Sequence, residues 1–270
     1  MNLVNSATKF LIDWTALTDL GQRRKNNEDS CGVIRLGAMP AAASAAQVQL
    51  DGYGVILILS DGMGGARGGE IASSFCVEHI AAELNARLSE ADGPKAMREA
   101  FVATHEALVL HADTNKEWHG MGATLSALWL QPGGRVILGH VGDSRIYRSR
   151  GGELIQLSED HNVGASMLRR GEITAEAASR MKFRSLLEQA MGADGSSIVP
   201  QVRTFDFMAG DIFLLCSDGF YGPLGEELEP LLKKKLGDAL TVAAAELVAA
   251  ANAAGGPDNI TVMLARLLPS

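Results

Sequence analysis

The stretch Val55-Ile56-Leu57-Ile58-Leu59-Ser60-Asp61-Gly62-Met63-Gly64-Gly65 sets an unbroken apolar run against a carboxylate and a glycine-dense turn. A continuous apolar run rich in β-branched residues leaves no polar face, the pattern of a fully buried strand. The aspartate brings charge to a sheet edge, and the glycine after it permits a sharp turn that exposes a backbone carbonyl. A similar phrase returns later: Ile212 to Cys216 is a second apolar run, ending in Ser217-Asp218-Gly219. Asp143 follows the strand predicted over Arg135 to Val141, and Asp258 precedes the last predicted strand, Ile260 to Leu267. Strand ends in a sheet converge on one edge, so these four carboxylates can meet although they are far apart in sequence. Any one Asp-Gly is adequately explained as a turn cap; that explanation weakens sharply for carboxylates at corresponding ends of apolar strands. Carboxylates, a carbonyl and water are the ligands that Mg2+ and Mn2+ prefer, so the pattern supports a metal site without naming a reaction.

Working outward, Asp13 to Thr18 reads as a short strand, followed by a basic loop from Gln22 to Asn27 and an Ala-rich surface loop from Ala38 to Ala46. Ile71, Phe75, Ile80 and Leu84 recur at helical spacing between Glu70 and Leu88, and a second helix starts at Pro94 and runs towards Lys116. Thr124 to Leu130 and Arg135 to Val141 flank Pro132-Gly133-Gly134 as a hairpin, and Arg145 to Arg148 leads to a turn at Gly151-Gly152. Between His161 and Gly195 the pattern becomes short, charged and helical, with Leu168-Arg169-Arg170-Gly171 as a helix end. Leu240 to Ala251 reads as an Ala-rich helix. No linker and no internal repeat of about 20–50 residues divides the chain, so residues 1–270 read as one domain.

The 270 residues are 47% hydrophobic, enough for a sizeable core, and 21% charged with a net charge of −8. That balance excludes the clustered basic face of a nucleic-acid binder. Cys31, Cys76 and Cys216 form no C-x-x-C pair, which argues against a disulfide framework and a zinc knuckle. Asp13 interrupts the only apolar start, and no apolar run approaches the roughly 18 residues of a membrane span. The expectation is a soluble, cytoplasmic protein of a reducing compartment, with nothing in the sequence demanding more than a monomer.

Gly21-Gln22-Arg23-Arg24-Lys25-Asn26-Asn27-Glu28-Asp29 resembles the N-terminal motif of the metal-dependent protein phosphatases, the type 2C Ser/Thr family. Asp61-Gly62-Met63-Gly64-Gly65, Gly122-Ala123-Thr124, Val141-Gly142-Asp143-Ser144-Arg145 and Asp160-His161 resemble its next signatures. Ser217-Asp218-Gly219 and Gly256-Pro257-Asp258-Asn259-Ile260-Thr261 complete the series, in family order across nearly the whole chain. The resemblance implies an α+β fold: a central β-sandwich of two antiparallel sheets flanked by antiparallel helices, four layers in the order αββα.

It also implies roles. Asp61 bridges two divalent ions, Mn2+ or Mg2+; Asp218 and Asp258 complete one of them and the Gly62 carbonyl binds the other. Glu28 and Asp29 act through metal-bound waters, and Asp143 with Asp218 holds a third, weaker ion. Arg24 grips the phosphate, because a guanidinium makes bidentate bonds to phosphate oxygens that an ammonium cannot. The implied reaction is hydrolysis of phosphoserine and phosphothreonine in proteins by a metal-activated water, opposing a Ser/Thr protein kinase in signal transduction. The implied partners are phosphorylated proteins and the kinase itself.

Many relatives carry a histidine just after the Gly-Gly or in place of Met63, where this chain has Ala66 and Met63. The departing alkoxide needs a proton, and His161 and a metal-bound water are the candidates to supply it. The segment from about Asn162 to Gly192 corresponds to the flap of bacterial relatives, and Arg169, Arg170, Arg180, Lys182 and Arg184 are its candidates for receiving a phosphopeptide.

Competing classes fail on spacing. The glycines from Gly62 to Gly69 match neither G-x-x-x-x-G-K-[ST] nor G-x-G-x-x-G. Ser144 lacks a G-x-S-x-G elbow and a C-terminal Asp-x-x-His, and the six histidines form no H-E-x-x-H. The remaining alternative is a catalytically weak, phosphoprotein-binding regulator of the same fold.

Overall fold

In the computed structural model, which describes residues 10–37, 47–64, 68–193 and 195–270, apolar alternation resolves first into strands. β1 (Phe10–Asp19), β2 (Asp29–Arg35), β3 (Gln47–Leu50) and β4 (Val55–Met63) precede two long helices, α1 (Gly68–Ala86) and α2 (Gly93–Ala112). β5 (Gly122–Ala123), β6 (Leu125–Gln131), β7 (Arg135–Val141), β8 (Arg145–Arg150) and β9 (Glu153–Gln156) follow. Two short helices come next, α3 (Val163–Arg169) and α4 (Ala175–Arg180), then β10 (Met191–Gly192), β11 (Gln201–Asp206) and β12 (Ile212–Cys216). The chain closes with α5 (Asp218–Tyr221), α6 (Leu228–Lys235), α7 (Leu240–Ala253) and β13 (Ile260–Pro269).

One sheet has the order β3-β1-β13-β12-β8-β9; the other runs β10-β5-β4-β6-β7-β11, with β2 paired to β4. Leu57, Leu59, Leu128 and Leu138 from one sheet meet Phe213, Leu215 and Met263 from the other in a buried layer. On its outer face the second sheet packs Ile56 and Ile58 against Cys76, Ile80 and Leu84 of α1 and Phe101 of α2. On its outer face the first sheet packs Leu214 and Val262 against Leu232 of α6 and Leu247 of α7. Those three apolar interfaces separate four layers, helices, sheet, sheet, helices, as the resemblance implies. Each enclosed Leu or Ile side chain contributes about 1.5–3 kcal/mol relative to exposure, so the sandwich is a rigid base.

The strands also divide the molecule into two ends. The tight turns around Asp51–Gly54, Pro132–Gly134, Gly151–Gly152 and Gly210 lie at one end. Asp19, Asp29, Asp61, Thr124, Val141, Cys216 and Ile260 mark the opposite end of the same strands.

Several elements depart from the sequence reading. β4 does not stop at Leu59 but continues through Asp61 to Met63, because β2 pairs with it as far as Asp61 and β5 pairs with Gly62 and Met63. The second helix ends at Ala112, and a single 3-10 turn at Lys116–Trp118 replaces its expected last turn. β2, β3, β11 and α6 were not expected as elements; the part-exposed polar residues of β2 and β11 and the lysines of α6 mask their pattern. The loop expected over Ala38 to Ala46 lies outside the described residues, as do Gly65 and Ala66.

Candidate active site

The site is built where the two sheets share an edge. Asp29 and Asp61 sit on β2 and β4 of one sheet, and Asp143 follows β7 of that sheet after Gly142. Asp218 opens α5 directly after β12, and Asp258 precedes β13, both on the other sheet. Gly142 has φ +109, and a Cβ there would lie 2.6 Å from the Thr124 side chain, so only glycine lets the turn bring Asp143 in so close. Gly62 meets a different limit: its Cβ would fall 2.0 Å from the Gly69 carbonyl oxygen and 2.7 Å from that of Glu28.

Hydrogen bonds cross the seam. Asp29 Oδ2 accepts from Ser217 Oγ at 2.7 Å and from Thr261 Oγ1 at 2.6 Å, both on the opposite sheet's segments. Asn259 accepts from the Glu28 amide at 2.9 Å and donates to the carbonyls of Leu20 and Asn26, fixing the loop that carries Arg24 and Glu28. Thr124 Oγ1 accepts from the Asp61 amide at 2.9 Å. The Asp143 carboxylate accepts from Asn162 Nδ2 at 3.2 Å. Arg24 donates to Asp258 at 2.6 Å, and Glu28 and Asp61 lie near enough to raise the arginine's pKa further.

The buried carboxylates sense one another. Burial pushes Asp61 well above the usual carboxylate range, and the charges of Asp29, Asp218, Asp143 and Asp258 push it further. Asp218 is raised to about 7 by burial, then by Asp143, Asp258 and Asp29, with Arg24 opposing. Burial raises Asp29 to about 6, against the hydrogen bonds from Thr261 and Ser217, and raises Asp143 to about 6 against that from Asn162. Asp29 Oδ1 is buried with no hydrogen-bond partner. Buried, mutually repelling carboxylates with an unused oxygen are costly as they stand and hold their charge when a divalent cation lies among them. All of these donors are hard oxygens, the set that suits Mg2+ and Mn2+ rather than zinc. As arranged, no three His, Cys, Asp or Glu side chains among the described residues are drawn tightly enough to hold an ion without moving. The fit is therefore one of chemistry and placement, with the Arg24 contact on Asp258 one that an ion would compete with.

A cavity of about 760 Å3 opens beside these groups. Asp143, Asp218 and Asp258 line it together with Arg180, Lys182 and Arg184, while Asp61 and Arg24 are not among its lining. Arg169 and Arg170 do not face it: Arg169 donates to the Asp160 carbonyl at 2.9 Å, and Arg170 pairs with Glu172 at 2.6 Å.

A family model described as protein phosphatase 2C matches residues 42–254. The chain belongs to the protein phosphatase 2C family. The serine/threonine phosphatase stp of Listeria welshimeri is 34% identical over 253 residues, covering 92% of each chain. The crystal structure of Mycobacterium tuberculosis serine/threonine phosphatase PstP/Ppp superposes with a TM-score of 0.78 at 32% identity, covering 96% of this chain and 100% of that one. A PstP catalytic domain in complex with two manganese ions gives 0.76 at 31% identity, covering 96% and 99%. As a protein phosphatase 2C, the chain is a metal-dependent serine/threonine phosphatase that uses Mn2+ or Mg2+.

His161, the candidate proton donor, is not in the cavity lining and is 8% exposed, with Nδ1 accepting from the Gly142 amide at 3.3 Å. Burial, then the Arg169 charge, lowers its pKa, and it packs tilted against His140. That contact ties His161 to the turn that carries Asp143. Ser217, Thr261, Asn259, Asn162 and Tyr221 were missed as site residues; the first three lie inside motifs read for their aspartates alone, and Tyr221 carried no signal.

Proposed function

We propose that Asp61, Asp218 and Asp258 hold two divalent ions together with the Gly62 carbonyl, that Glu28 and Asp29 support them, and that Asp143 shares a third with Asp218. Ions bound there lower the pKa of water towards neutrality and offset charge growing on the phosphoryl oxygens. The observation that carries this reading is the convergence of buried carboxylates from both sheets on one edge, each raising another's pKa. Arg24, half-exposed beside Asp258, is placed to receive a phosphate bidentately. Asn162 to Gly192 acts as the flap, and its Arg180, Lys182 and Arg184, which line the cleft, receive the phosphopeptide.

The substrates are phosphoserine and phosphothreonine in proteins modified by a Ser/Thr kinase, with that kinase among them, and the protein works in signalling. Residues 1–270 form one catalytic unit, acting as a cytoplasmic monomer; its three free cysteines suit a reducing compartment. No helix among the described residues is long and apolar enough to cross a membrane.

Phosphate release from a phosphothreonine peptide, measured with Mn2+ and with a chelator beside Asp218→Ala, tests the reading. Release that needs Mn2+ and disappears in the variant is expected. Ion and peptide binding without release would instead mark a phosphoprotein-binding regulator.

A further inference from the structure

In the lining of the cleft, Arg145 organises a polar cluster with Asp160 and Tyr221 that the reaction as described does not use. Its Nε and Nη2 fork onto the Asp160 carboxylate at 3.1, 3.1 and 2.7 Å, and Nη1 donates to the Tyr147 hydroxyl at 3.2 Å. Its guanidinium carbon lies 3.7 Å from the centroid of the Tyr221 ring, a cation–π contact in a largely buried setting. Gln156 supports Asp160 from the far side at 3.0 Å. The guanidinium is thereby fixed on three sides and in turn fixes the plane of the Tyr221 ring.

Tyr221 closes α5, the single helical turn that Asp218 opens. From there its hydroxyl donates to the backbone carbonyl of Asp143 at 2.8 Å. One turn of helix thus carries a cleft carboxylate at its start and, at its end, a bond to the backbone of a second cleft carboxylate 78 residues away. Phenylalanine would fill the same space and keep the stack on Arg145. The hydroxyl adds a tie between Asp143 and Asp218, two groups whose separation decides how well they share a cation. We infer that Tyr221 is a positioning residue, braced by Arg145, that sets the spacing of Asp143 and Asp218 for metal binding.

The inference rests on the reading that Asp143 and Asp218 hold a divalent ion, and calorimetric titration of the full chain with Mn2+ tests both. Tyr221→Phe is expected to raise the dissociation constant of the weaker Mn2+ site about three- to tenfold, the effect of one lost hydrogen bond. The tightest site should change less than about twofold, and the melting temperature of the metal-free protein by less than about 3 °C. Activity should fall in kcat at limiting Mn2+, with KM for the peptide unchanged. Tyr147→Phe loosens the same cluster without reaching a carboxylate and should leave Mn2+ binding as it was. Unchanged Mn2+ binding in Tyr221→Phe, or an equal shift in Tyr147→Phe, overturns the inference. If Tyr221→Phe does not fold, Arg145→Lys takes its place, since it loses the planar brace and keeps the hydroxyl; no shift there also overturns it. Absence of Mn2+ binding in the unaltered chain would instead remove the metal-site reading itself.

Discussion

Asp29 and Asp61 lie directly opposite each other in the register of β2 and β4. Like charges across an antiparallel pair are destabilising, and here both are partly buried. The pair is kept because Asp29 spends one oxygen on Ser217 and Thr261 while its other oxygen stays unpartnered. The fold holds a repulsion at its edge that a divalent ion, bound as proposed, would relieve.

The metal-free protein is expected to lose stability as pH rises. Asp29, Asp143 and Asp218 are raised to about 6, 6 and 7 in the folded state. Folding then favours their protonated forms, and this contribution is full below the unfolded carboxylate pKa of roughly 4 and lost as pH rises through about 6 to 7. Melting temperatures in chelator should be lower at pH 8 than at pH 5.5, with a larger Mn2+-induced gain at pH 8. A gain independent of pH would contradict the assignment of these groups.

His140 works in the opposite direction. It is fully buried between Ser126 and the Gly142 carbonyl, and burial, then the neighbouring His161, lowers its pKa to about 3 against the hydrogen bond to Gly142. Its contribution is present above the unfolded value of roughly 6.5 and lost as pH falls from there towards about 3. In metal-saturated protein, His140→Gln should flatten the decline of melting temperature between pH 6.5 and 4. A decline as steep as in the unaltered chain would show that His140 does not govern it.

Thr261→Val removes the hydroxyl that donates to Asp29 and keeps the side-chain shape. Without that donor Asp29 becomes harder to ionise, so protons compete better with the ions. The acid limb of Mn2+-dependent activity should move up by about one pH unit, as expected for one hydrogen bond to a charged group. An unmoved limb would separate Asp29 from metal binding.

Gly62→Ala places a methyl group 2.0 Å from a carbonyl oxygen of Gly69, which backbone movement alone can relieve. A loss of more than about 2 kcal/mol, roughly 4–8 °C in melting temperature, is expected, with weakened Mn2+ binding. Wild-type stability and Mn2+ affinity together would show that the Gly62 turn is not constrained.

Arg24→Ala should separate two roles. The arginine is paired with Asp258 and, in the proposed function, also receives the phosphate. Its removal should raise KM for a phosphopeptide at least about tenfold, the loss of a charge-assisted contact, while Mn2+ affinity stays the same or tightens. Weaker Mn2+ binding with KM unchanged would assign Arg24 to the ions instead.

The apolar runs before Asp61 and Asp218 were legible because a strand buried on both faces has no polar positions to disguise it. The aspartates were legible for the same reason, as charges standing where such runs end. β2 was not, since its first half reads as motif and its residues are mostly half-buried. His161 was singled out from its place in Asp160-His161, and its contact with the Gly142 amide carried no signal in the sequence. The tie from Tyr221 to Asp143 could not be read at all, because it depends on a helical turn meeting a loop from the other sheet.

The division of the strands into two ends has a consequence for engineering. The clustered carboxylates stand at one end, and the turn at Pro132–Gly134 stands at the other, with Gly133 at φ +95 and no atom within 4 Å of where a Cβ would be. A reporter domain spliced in at Gly133 would sit across the whole length of the sandwich from the carboxylates. Catalysis and cargo would then share one scaffold without sharing a surface.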